Sequence, residues 1–566
     1  MRNLWRVLVA LVALTFVAAA CSDSDPDASA SDDAATEAGE ESGESSESSV
    51  ASGADDSTLV FAATGDINSM DPSITGVEWN RVLGVNVYET LVNYALEPQD
   101  DGSLLGIGLD VAPGLASEWE IDGDSVTFTL QEGVTFYPSG NPMTAEDVRY
   151  SIIRTVRLPG STGTFNANLA GIFEPEDQIE VVDDQTVRIN FTDAEGNPRR
   201  TAMSLPSLRF PQFSVVDSAV FEENATEEDP WAAEWAEGNV AGTGHYYVDS
   251  YTPGSEIVLA AVPDFWGEPP AYEQVIMRVV GGADVTSLML GDEVDMASSG
   301  LGSRELDALE EAGFQIINQP VPDIIKAEMV TTAAPFDDPA FRQAIAHAIP
   351  YDQILEIALG GRGERAYSIV NPASPSYVPA WDIYGDPEEA AALIEESGAA
   401  GATVPIYFNN GIAAMEDIAL LISDALGGLG LNVEVNGLPT VQYTEERTNL
   451  TTGSASQISG MLLSSGVIWL DDADPNVDLW LKSTGFSNPT GWANEEVDRL
   501  HAEFRFSPDP DARAEAYATV QELGAEGAAY APIAVAGVNV ALRPGIEGAS
   551  FTSDPHPRFW TMSPAE

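Results

Sequence analysis

The chain has 566 residues, and its 91 acidic residues outnumber 23 basic residues, which gives a formal net charge of -68. Nucleic-acid-binding proteins need a basic surface, so this composition excludes that class and argues against electrostatic docking on an anionic membrane. Hydrophobic residues make up 44% of the chain, enough to bury cores, and the length predicts two or three lobes. The acidic, lysine-poor surface fits a saline habitat and a cell-surface protein equally well.

The first 20 residues predict an export signal. Arg2 and Arg6 precede an uncharged, mostly apolar run over 7–20, which is shorter than the roughly 20 residues of a membrane span. Ala18-Ala19-Ala20-Cys21 is similar to a bacterial lipobox, in which the cysteine carries lipid. Cys21 is the one cysteine of the sequence, so no intramolecular disulfide can form. We prefer lipidation of Cys21 over cleavage after Ala20 that leaves a reactive free thiol.

Residues 21–57 predict a disordered acidic tether. The segment is rich in Ser, Ala, Gly, Asp and Glu, and it contains twelve acidic and no basic residues. It shows no apolar periodicity, so it cannot offset the entropy that ordering would cost.

The first half of the body predicts mainly strands. Thr58–Ala63 is an apolar run, Ser125–Leu130 alternates apolar and polar residues, and 181–191 and 256–262 fit further strands. Thr144-Ala145-Glu146-Asp147 is similar to a capping box, with aspartate in the usual place of Glu or Gln, and predicts the start of a helix.

After about residue 325, helices and strands alternate. Asp338-Pro339, Asp386-Pro387 and Asp509-Pro510 each place a capping residue before a proline at the first helical position, and Asp352 predicts a further cap. Strands are predicted over 404–408 and 431–435 on either side of a helix over 413–426, and the apolar segment 532–542 is strand-like. This order predicts an α/β lobe with a partly parallel sheet.

Enzyme and metal signatures are missing from the sequence. It contains no Gly-x-Ser-x-Gly, His-Glu-x-x-His, Ser-x-x-Lys or Walker motif, and no two of its four histidines lie within five residues. The segment 472–478 copies the start of a calcium loop, but Val477 stands where glycine is needed and Ser483 where the bidentate glutamate belongs. We expect no catalytic residue, no metal site and no cofactor.

Taken in order, several segments resemble the extracytoplasmic solute-binding proteins of family 5, the peptide- and nickel-binding components of ABC importers. The similarity runs over most of 58–540. It includes Met70-Asp71-Pro72, Val87-Tyr88-Glu89-Thr90-Leu91, Leu115-Ala116-Ser117-Glu118-Trp119, Thr144-Ala145-Glu146-Asp147-Val148 with Arg154, Gly242-Thr243-Gly244, Pro335-Phe336-Asp337-Asp338, and the segment from Asn488 to Asp498.

The resemblance implies an α/β fold of the two-lobed periplasmic-binding-protein type (type II, cluster C) with an extra subdomain. Lobe I would comprise 58–325 plus 532–566, with the subdomain near 89–205, and lobe II would comprise 326–531. The lobes would close on the ligand about a hinge. The closed protein, a monomer, would deliver its ligand to the permease subunits and ATPase of an ABC importer. It would be held by lipid at the outer face of the cell membrane, or be periplasmic.

The resemblance also implies site residues. In peptide-binding members, an aspartate that follows a tryptophan pairs with the peptide's amino terminus. Here Trp469 precedes Asp471 and Asp472, and spacing slightly favours Asp472; the alternative is that both aspartates cap the next helix. The loop Asp66-Ile67-Asn68 matches a segment that meets the ligand mainly through its backbone, and Trp492 is either a pocket aromatic or a core residue.

The expected function is therefore capture of peptides for import. A non-peptide solute such as an oligosaccharide, nickel or haem is the alternative within the same role. A secreted hydrolase and a surface adhesin are alternatives from other classes, and a turnover screen or a neighbouring permease gene would distinguish them.

Overall fold

The computed structural model describes residues 57–74, 77–319, 323–412, 414–466 and 471–565. They belong to a compact unit that spans Ser52–Glu566. The predictions for the export signal, for Cys21 and for nearly all of the tether lie outside the described residues.

Fourteen described strands precede residue 320. They are β1 (Thr58–Ala63), β2 (Val92–Tyr94), β3 (Glu97–Pro98), β4 (Leu104–Gly106), β5 (Val111–Pro113), β6 (Ala116–Asp122), β7 (Ser125–Leu130), β8 (Ile179–Asp183), β9 (Thr186–Asn190), β10 (Tyr246–Thr252), β11 (Glu256–Ala261), β12 (Gln274–Val279), β13 (Met296–Ala297) and β14 (Gln315–Gln319).

The strands of the second half are β15 (Ile324–Met329), β16 (Glu364–Arg365), β17 (Thr403–Asn409), β18 (Asn432–Leu438), β19 (Met461–Ser464) and β20 (Tyr530–Val535), and the chain ends with β21 (Val538–Leu542), β22 (Ile546–Glu547), β23 (Ser550–Thr552) and β24 (Ser563–Pro564).

The helices of the first half are α1 (Glu78–Val87), α2 (Ala145–Arg157), α3 (Gly163–Ala170), α4 (Pro175–Gln178), α5 (Ser218–Asn224), α6 (Ala233–Ala236), α7 (Val285–Leu290) and α8 (Ser303–Glu311). Those of the second half are α9 (Pro339–Ala348), α10 (Tyr351–Gln353), α11 (Pro387–Ser397), α12 (Met415–Gly428), α13 (Thr440–Thr452), α14 (Ala473–Asn476), α15 (Glu495–Phe504) and α16 (Pro510–Gly527).

Two large sheets organise the chain. The first has seven strands in the order β10-β11-β12-β1-β13-β21-β14, and the second has six in the order β16-β20-β15-β19-β17-β18. We call the bodies built on them lobe I and lobe II. In lobe I, β1 runs parallel to β12 and β13, and in lobe II, β17 runs parallel to β18 and β19. The two-lobed mixed α/β architecture is as predicted.

The chain passes between the sheets at two adjacent places, which we call the hinge. It leaves β14 at Gln319 and enters β15 at Ile324, and it returns through Ala536 and Gly537 from β20 to β21. Register pairs Gln319 with Val538 in one sheet and Ile324 with Val535 in the other. Gly537 has a φ of 68°, a left-handed conformation that glycine adopts without strain.

The hinge divides a segment that the sequence pattern predicts to be one strand. Residues 532–542 contribute to β20 in lobe II and to β21 in lobe I, because the chain turns at Gly537. β20 therefore lies in the lobe II sheet, although its last residues fall within the predicted C-terminal part of lobe I. The predicted boundaries at 325 and 532 lie within a few residues of the hinge.

The described residues form three large and separate apolar cores. One lies under the lobe II sheet and includes Trp381, and one lies under the lobe I sheet and includes Phe61. A third, from Leu91 to Val215, packs α2 and α3 against the four-stranded sheet β6-β7-β9-β8. This third core overlaps the range 89–205 in which the resemblance predicts an extra subdomain, and the subdomain stays a prediction.

Local signals placed several helix starts correctly. Asp338, Asp386 and Asp509 each accept a hydrogen bond from a backbone N–H of the first turn. α2 begins after Thr144, whose N–H donates to Asp147 Oδ2 over 2.8 Å. The prediction for Asp352 is wrong: α10 begins at Tyr351, so Asp352 already lies inside the helix, which continues as a π-helix over Ile354–Ala358.

No helix within the described ranges is both long enough and apolar enough to cross a bilayer.

A buried ion pair joins the start of lobe I to α2. Arg154 Nη1 and Nη2 donate to the two carboxylate oxygens of Asp71 over 2.8 and 2.5 Å, and Arg154 Nε donates to the carbonyl oxygen of Trp231 over 2.9 Å. Both charged side chains are 1% exposed. Removal of one partner would leave the other charge buried without compensation.

We predict that Asp71→Asn lowers the free energy of unfolding by about 3–5 kcal/mol, because Arg154 then stays buried without a counter-charge. Urea unfolding followed by circular dichroism measures the change. Glu180→Gln is the control, since its pair with Arg188 is about half exposed and is worth at most about 1 kcal/mol. Equal unfolding midpoints for Asp71→Asn and Glu180→Gln would contradict the prediction.

Candidate functional site

A cavity of about 1130 Å³ lies between the two lobes. Parallel strands end at one edge of a sheet, and in α/β proteins ligands bind outside that carboxyl edge. The lining residues follow the carboxyl ends of parallel strands in both sheets, so the two edges face the same cavity.

Lobe I contributes three of these loops. Thr64 follows β1, Gly282 lies in the loop after β12, and 298–303 follow β13. The Thr64 and Ser299 hydroxyl groups are 3.0 Å apart and join two of the loops. Gly300 has a φ of 74° and lies so close to Thr64 that a Cβ atom would meet its methyl group at 3.0 Å.

Lobe II contributes three matching loops. Gly411 and Ile412 follow β17, Thr440 follows β18, and 465–466 follow β19. Asn409 Oδ1 accepts hydrogen bonds from Gly411 N–H and from the Thr440 hydroxyl, each over 2.9 Å. This side chain therefore fixes the ends of two neighbouring loops relative to each other.

The hinge lies along the wall of the cavity. Asp323 and 536–539 are lining residues, so a bound molecule would lie against both places where the chain changes lobe. Thirteen of the 32 lining residues are glycine, serine or threonine, which offer backbone and hydroxyl hydrogen-bonding groups, and twelve are apolar. The charged lining residues are Glu78, Arg81, Glu305, Asp323 and Arg362.

Asp471 is completely buried at a contact between the lobes. Its carboxylate accepts hydrogen bonds from Gly108 N–H over 2.5 Å and from the Ser553 hydroxyl over 2.7 Å, both in lobe I, and from the Asn371 side-chain amide of lobe II. All three of these donors are neutral. We call this group of four residues the Asp471 contact.

Arg209 holds the loop that carries Gly108. Its guanidinium donates to the carbonyl oxygens of Gly108 over 2.9 Å and Asp110 over 3.2 Å, and it lies 3.9 Å from the ring centre of Tyr94. Arg558 lies over the same ring at 4.9 Å. Lobe I therefore presents a preassembled surface to Asp471.

Two further contacts tie the lobes together. Arg362 of lobe II donates to Asp307 over 2.6 Å and lies 3.3 Å from Glu310, both on α8 of lobe I. The rings of Phe165 and Phe486 stack with their centres 5.8 Å apart. The two lobes are therefore in direct contact through a hydrogen-bonded carboxylate, an ion pair and an aromatic stack.

Asp472 has a different environment from its neighbour. Its two oxygens accept hydrogen bonds from Arg513 over 2.8 and 2.6 Å, and Oδ1 also accepts from Asp474 N–H, which caps α14. Asp472 is 1% exposed and lies within lobe II. The structure thus gives Asp472 an ion pair and a helix cap, and it leaves Asp471 as the aspartate between the lobes.

The predicted loop of lobe I turns away from the cavity. Asp66 accepts hydrogen bonds from Gly254 N–H over 2.6 Å and from the Tyr251 hydroxyl over 3.1 Å. Ile67 is buried in the lobe I core, and Asn68 pairs with the Asn80 side chain. None of these three residues is among those that line the cavity, and Thr64 takes that place.

Of the two predicted tryptophans, only Trp492 lies within the described residues. Trp492 is 8% exposed and packs in the lobe II core against Gly527, as its core interpretation expects. Trp469 lies outside the described residues, between Gly466, which lines the cavity, and Asp471.

None of the lining residues was predicted individually. Glycine, serine and threonine after a strand look like ordinary turns in a sequence. The alternation of helices and strands after residue 325 did predict parallel strands, and the residues after β17 and β18 could have been inferred from that rule alone. Asp323 gave no such signal, because it precedes its strand.

Among the described residues, no group of three or more His, Cys, Asp or Glu side chains is placed to hold a metal ion. One of the four histidines, His556, is among the cavity-lining residues, and its Nδ1 lies 3.2 Å from Asp554.

Comparison with known proteins identifies a family and several relatives. Residues 110–488 match the bacterial extracellular solute-binding proteins, family 5 middle region. The probable D,D-dipeptide-binding periplasmic protein DdpA of Escherichia coli is 24% identical over 503 residues, which cover 87% of this chain and 91% of that protein. Heme-binding protein A of Haemophilus influenzae is 25% identical over 463 residues, 78% of this chain and 81% of that protein.

A solved structure shows the same fold. The ABC transporter-associated periplasmic binding protein DppA of Helicobacter pylori, in complex with peptide STSA, superimposes with a TM-score of 0.73 at 21% identity. The match covers 90% of this chain and 98% of that protein.

We predict that Asp472→Asn lowers the free energy of unfolding by about 3–5 kcal/mol, because the buried Arg513 guanidinium loses its counter-charge. Differential scanning calorimetry and urea unfolding measure this loss. Asp511→Asn changes an exposed aspartate two residues from Arg513 and is expected to cost less than about 1 kcal/mol. If the two variants are equally stable, Asp472 does not have the structural role assigned to it.

Proposed function

Because the chain belongs to the family 5 bacterial extracellular solute-binding proteins, we propose that it captures peptides in the cavity between its lobes for an ABC importer. The observation that carries this proposal is the cavity itself, which the carboxyl edges of two parallel-stranded regions enclose. In this role the protein is a transport component and not an enzyme.

The size and chemistry of the cavity support a peptide. Its volume of about 1130 Å³ exceeds the roughly 300–1,000 Å³ of pockets for drug-sized ligands. Loop backbones and hydroxyl groups can satisfy the amides of an extended peptide, which would be costly to bury without partners. The names of the Escherichia coli and Helicobacter pylori proteins agree with a peptide ligand, since both refer to peptides.

A non-peptide solute in the same role is the alternative. Heme-binding protein A is as similar in sequence as the dipeptide-binding relative, so the family resemblance alone does not choose between the two. An oligosaccharide or nickel belongs to the same alternative.

We assign recognition of the peptide's amino group to Asp471 rather than Asp472. Asp472 already has both oxygens on Arg513, whereas the described donors to Asp471 are neutral. A buried carboxylate is best compensated by a cation, and an ammonium group of the ligand would supply one. Asp471 lies at the contact between the lobes and not among the lining residues, so the amino group would reach it at that contact.

Closure would couple ligand capture to delivery. The Asp471 contact, the Arg362 pair and the Phe165–Phe486 stack form only when the lobes meet. A ligand that binds the closed form more tightly shifts the protein toward it, in proportion to that difference in affinity. The membrane permease would then receive the closed form.

We predict that tetra-alanine with a free amino terminus binds and that Asp471→Asn raises its dissociation constant, because the ammonium group loses its counter-charge. The expected loss is about 2–5 kcal/mol, or roughly thirtyfold to several thousandfold. Isothermal titration calorimetry measures the affinity, with N-acetylated tetra-alanine as the ligand control. Asp110→Asn, an exposed aspartate near Gly108, is the protein control. Equal binding of free and acetylated peptide would remove the assignment to Asp471.

Anchoring through Cys21 completes the proposal. The basic residues, apolar run and small residues before Cys21 support a lipoprotein signal peptide, and a diacylglyceryl group on Cys21 would hold the protein at the outer face of the membrane. We propose that the anchored protein is a monomer that meets permease subunits by diffusion along this surface.

We predict that Cys21→Ala moves the protein from the membrane fraction to the culture supernatant, because the lipid attachment point is lost. Fractionation with immunoblotting shows the location, and intact mass shows the diacylglyceryl group on wild-type protein. Ser22→Ala is the matched control and stays in the membrane fraction. A wild-type protein that is soluble and unmodified would disprove lipid anchoring.

A further inference from the structure

Asp323 occupies a special place in the cavity. It lies at the hinge, immediately before β15, and its carbonyl oxygen accepts a hydrogen bond from Ala536 N–H on the other hinge segment over 2.9 Å. The next residue, Ile324, donates its N–H to the carbonyl oxygen of Gly466 over 3.1 Å. The backbone of Asp323 is therefore held from both sides, while its side chain is among the cavity-lining groups.

One oxygen of this carboxylate has no partner. Asp323 Oδ1 is shielded from solvent and accepts no hydrogen bond from any residue that the structure describes. A buried carboxylate oxygen without a donor is unfavourable, and polar groups in such positions are normally satisfied by protein, water or ligand. Burial raises the pKa of Asp323 to about 6, although the Lys326 ammonium and the Gly466 amide act in the opposite direction.

The nearest lysine is engaged elsewhere. Lys326 Nζ lies 4.2 Å from the ring centre of Trp480 and 3.7 Å from Glu328, and its side chain is 1% exposed. It does not line the cavity. Lys326 therefore acts on Asp323 through its charge and not through a hydrogen bond, and Asp323, unlike Lys326, is one of the residues that line the cavity.

The charge balance of the cavity wall favours a cation. Three acids, Glu78, Glu305 and Asp323, line the cavity together with two arginines. One of these arginines, Arg362, already pairs with Asp307 and Glu310. A positively charged ligand group near Asp323 would lower the electrostatic energy of this wall.

From this geometry we infer that Asp323 binds a basic side chain of the ligand, so that the protein selects peptides that contain lysine or arginine. The inference rests on the proposed function, since it assumes that a peptide occupies the cavity with its amino terminus at Asp471. It adds a second cation site at the hinge. Because Asp323 is held by both hinge segments, neutralisation of its charge also favours the closed form in which the carboxylate is buried.

The test uses the full chain and five tetrapeptides with free amino termini. They are tetra-alanine and the four variants that carry a single lysine at each position in turn. Calorimetry at pH 7.5 gives the affinities. We expect at least one lysine peptide to bind at least about tenfold more tightly than tetra-alanine, and Asp323→Asn to reduce this advantage, taken as the ratio of the two affinities in the same variant, to less than about threefold.

Glu311→Gln is the matched control, because it removes a charge from an exposed acid on α8 that does not line the cavity. It is expected to change the lysine advantage by less than about threefold. If lysine gives no advantage at any position, or if the advantage persists in Asp323→Asn, the inference is wrong although peptides bind. If none of the five peptides binds to the wild type, the proposed function itself is wrong and the inference fails with it.

The pH dependence of wild-type binding provides a second test that needs no variant. A carboxylate with a pKa of about 6 is about one-tenth ionised at pH 5, so the lysine advantage should fall roughly tenfold between pH 7.5 and pH 5. Glu78, Arg81 and His556 line the same cavity, and Lys326 lies on the same strand, but their effects act on tetra-alanine as well. A lysine advantage that is constant over this range would overturn the inference.

Discussion

The position of the hinge determines where the cavity between the two lobes lies. The chain leaves one sheet at Gln319, enters the other at Ile324 and returns through 536–537, and backbone pairs of the two sheets flank these places. Loops after β1, β12 and β13 therefore face loops after β17, β18 and β19 across one gap. A binding cavity at this place follows from strand direction, because parallel strands leave their carboxyl ends, and the loops after them, at the same edge.

Buried arginine–carboxylate pairs join separate elements within each lobe. Arg154 with Asp71 joins the start of lobe I to α2, and Arg513 with Asp472 fixes the start of α14 in lobe II. Arg447 of α13 pairs with Glu328 of β15 and so joins this helix to the lobe II sheet. The chain has 23 basic and 91 acidic residues, so few carboxylates can have such a partner. Asp471 and Asp323 differ from these paired carboxylates. Asp471 lies at the contact between the lobes and accepts hydrogen bonds from neutral donors. Asp323 lines the cavity, and its Oδ1 accepts no hydrogen bond from the described residues.

Local signals in the sequence predicted much of the secondary structure. The caps at Asp338, Asp386 and Asp509 and the start of α2 after Thr144 depend on residues close together in the chain, so a sequence pattern is sufficient to find them. The single strand predicted over 532–542 shows the limit of this approach. Its apolar pattern is continuous, and only the pairing of β20 with β15 and of β21 with β14 places its two parts in different sheets.

By itself, the sequence determined the composition, the family resemblance, the α/β order of the second half and an aspartate pair near Trp469. Only the tertiary structure separated that pair, because it placed Arg513 on Asp472 and the lobe I residues Gly108 and Ser553 on Asp471. It also placed Thr64 and Asp323 on the cavity wall, which Asp66, Ile67 and Asn68 do not line. The physical reason is that burial and charge pairing depend on residues 41 to 363 positions apart, and no local pattern encodes which of two adjacent carboxylates meets an arginine.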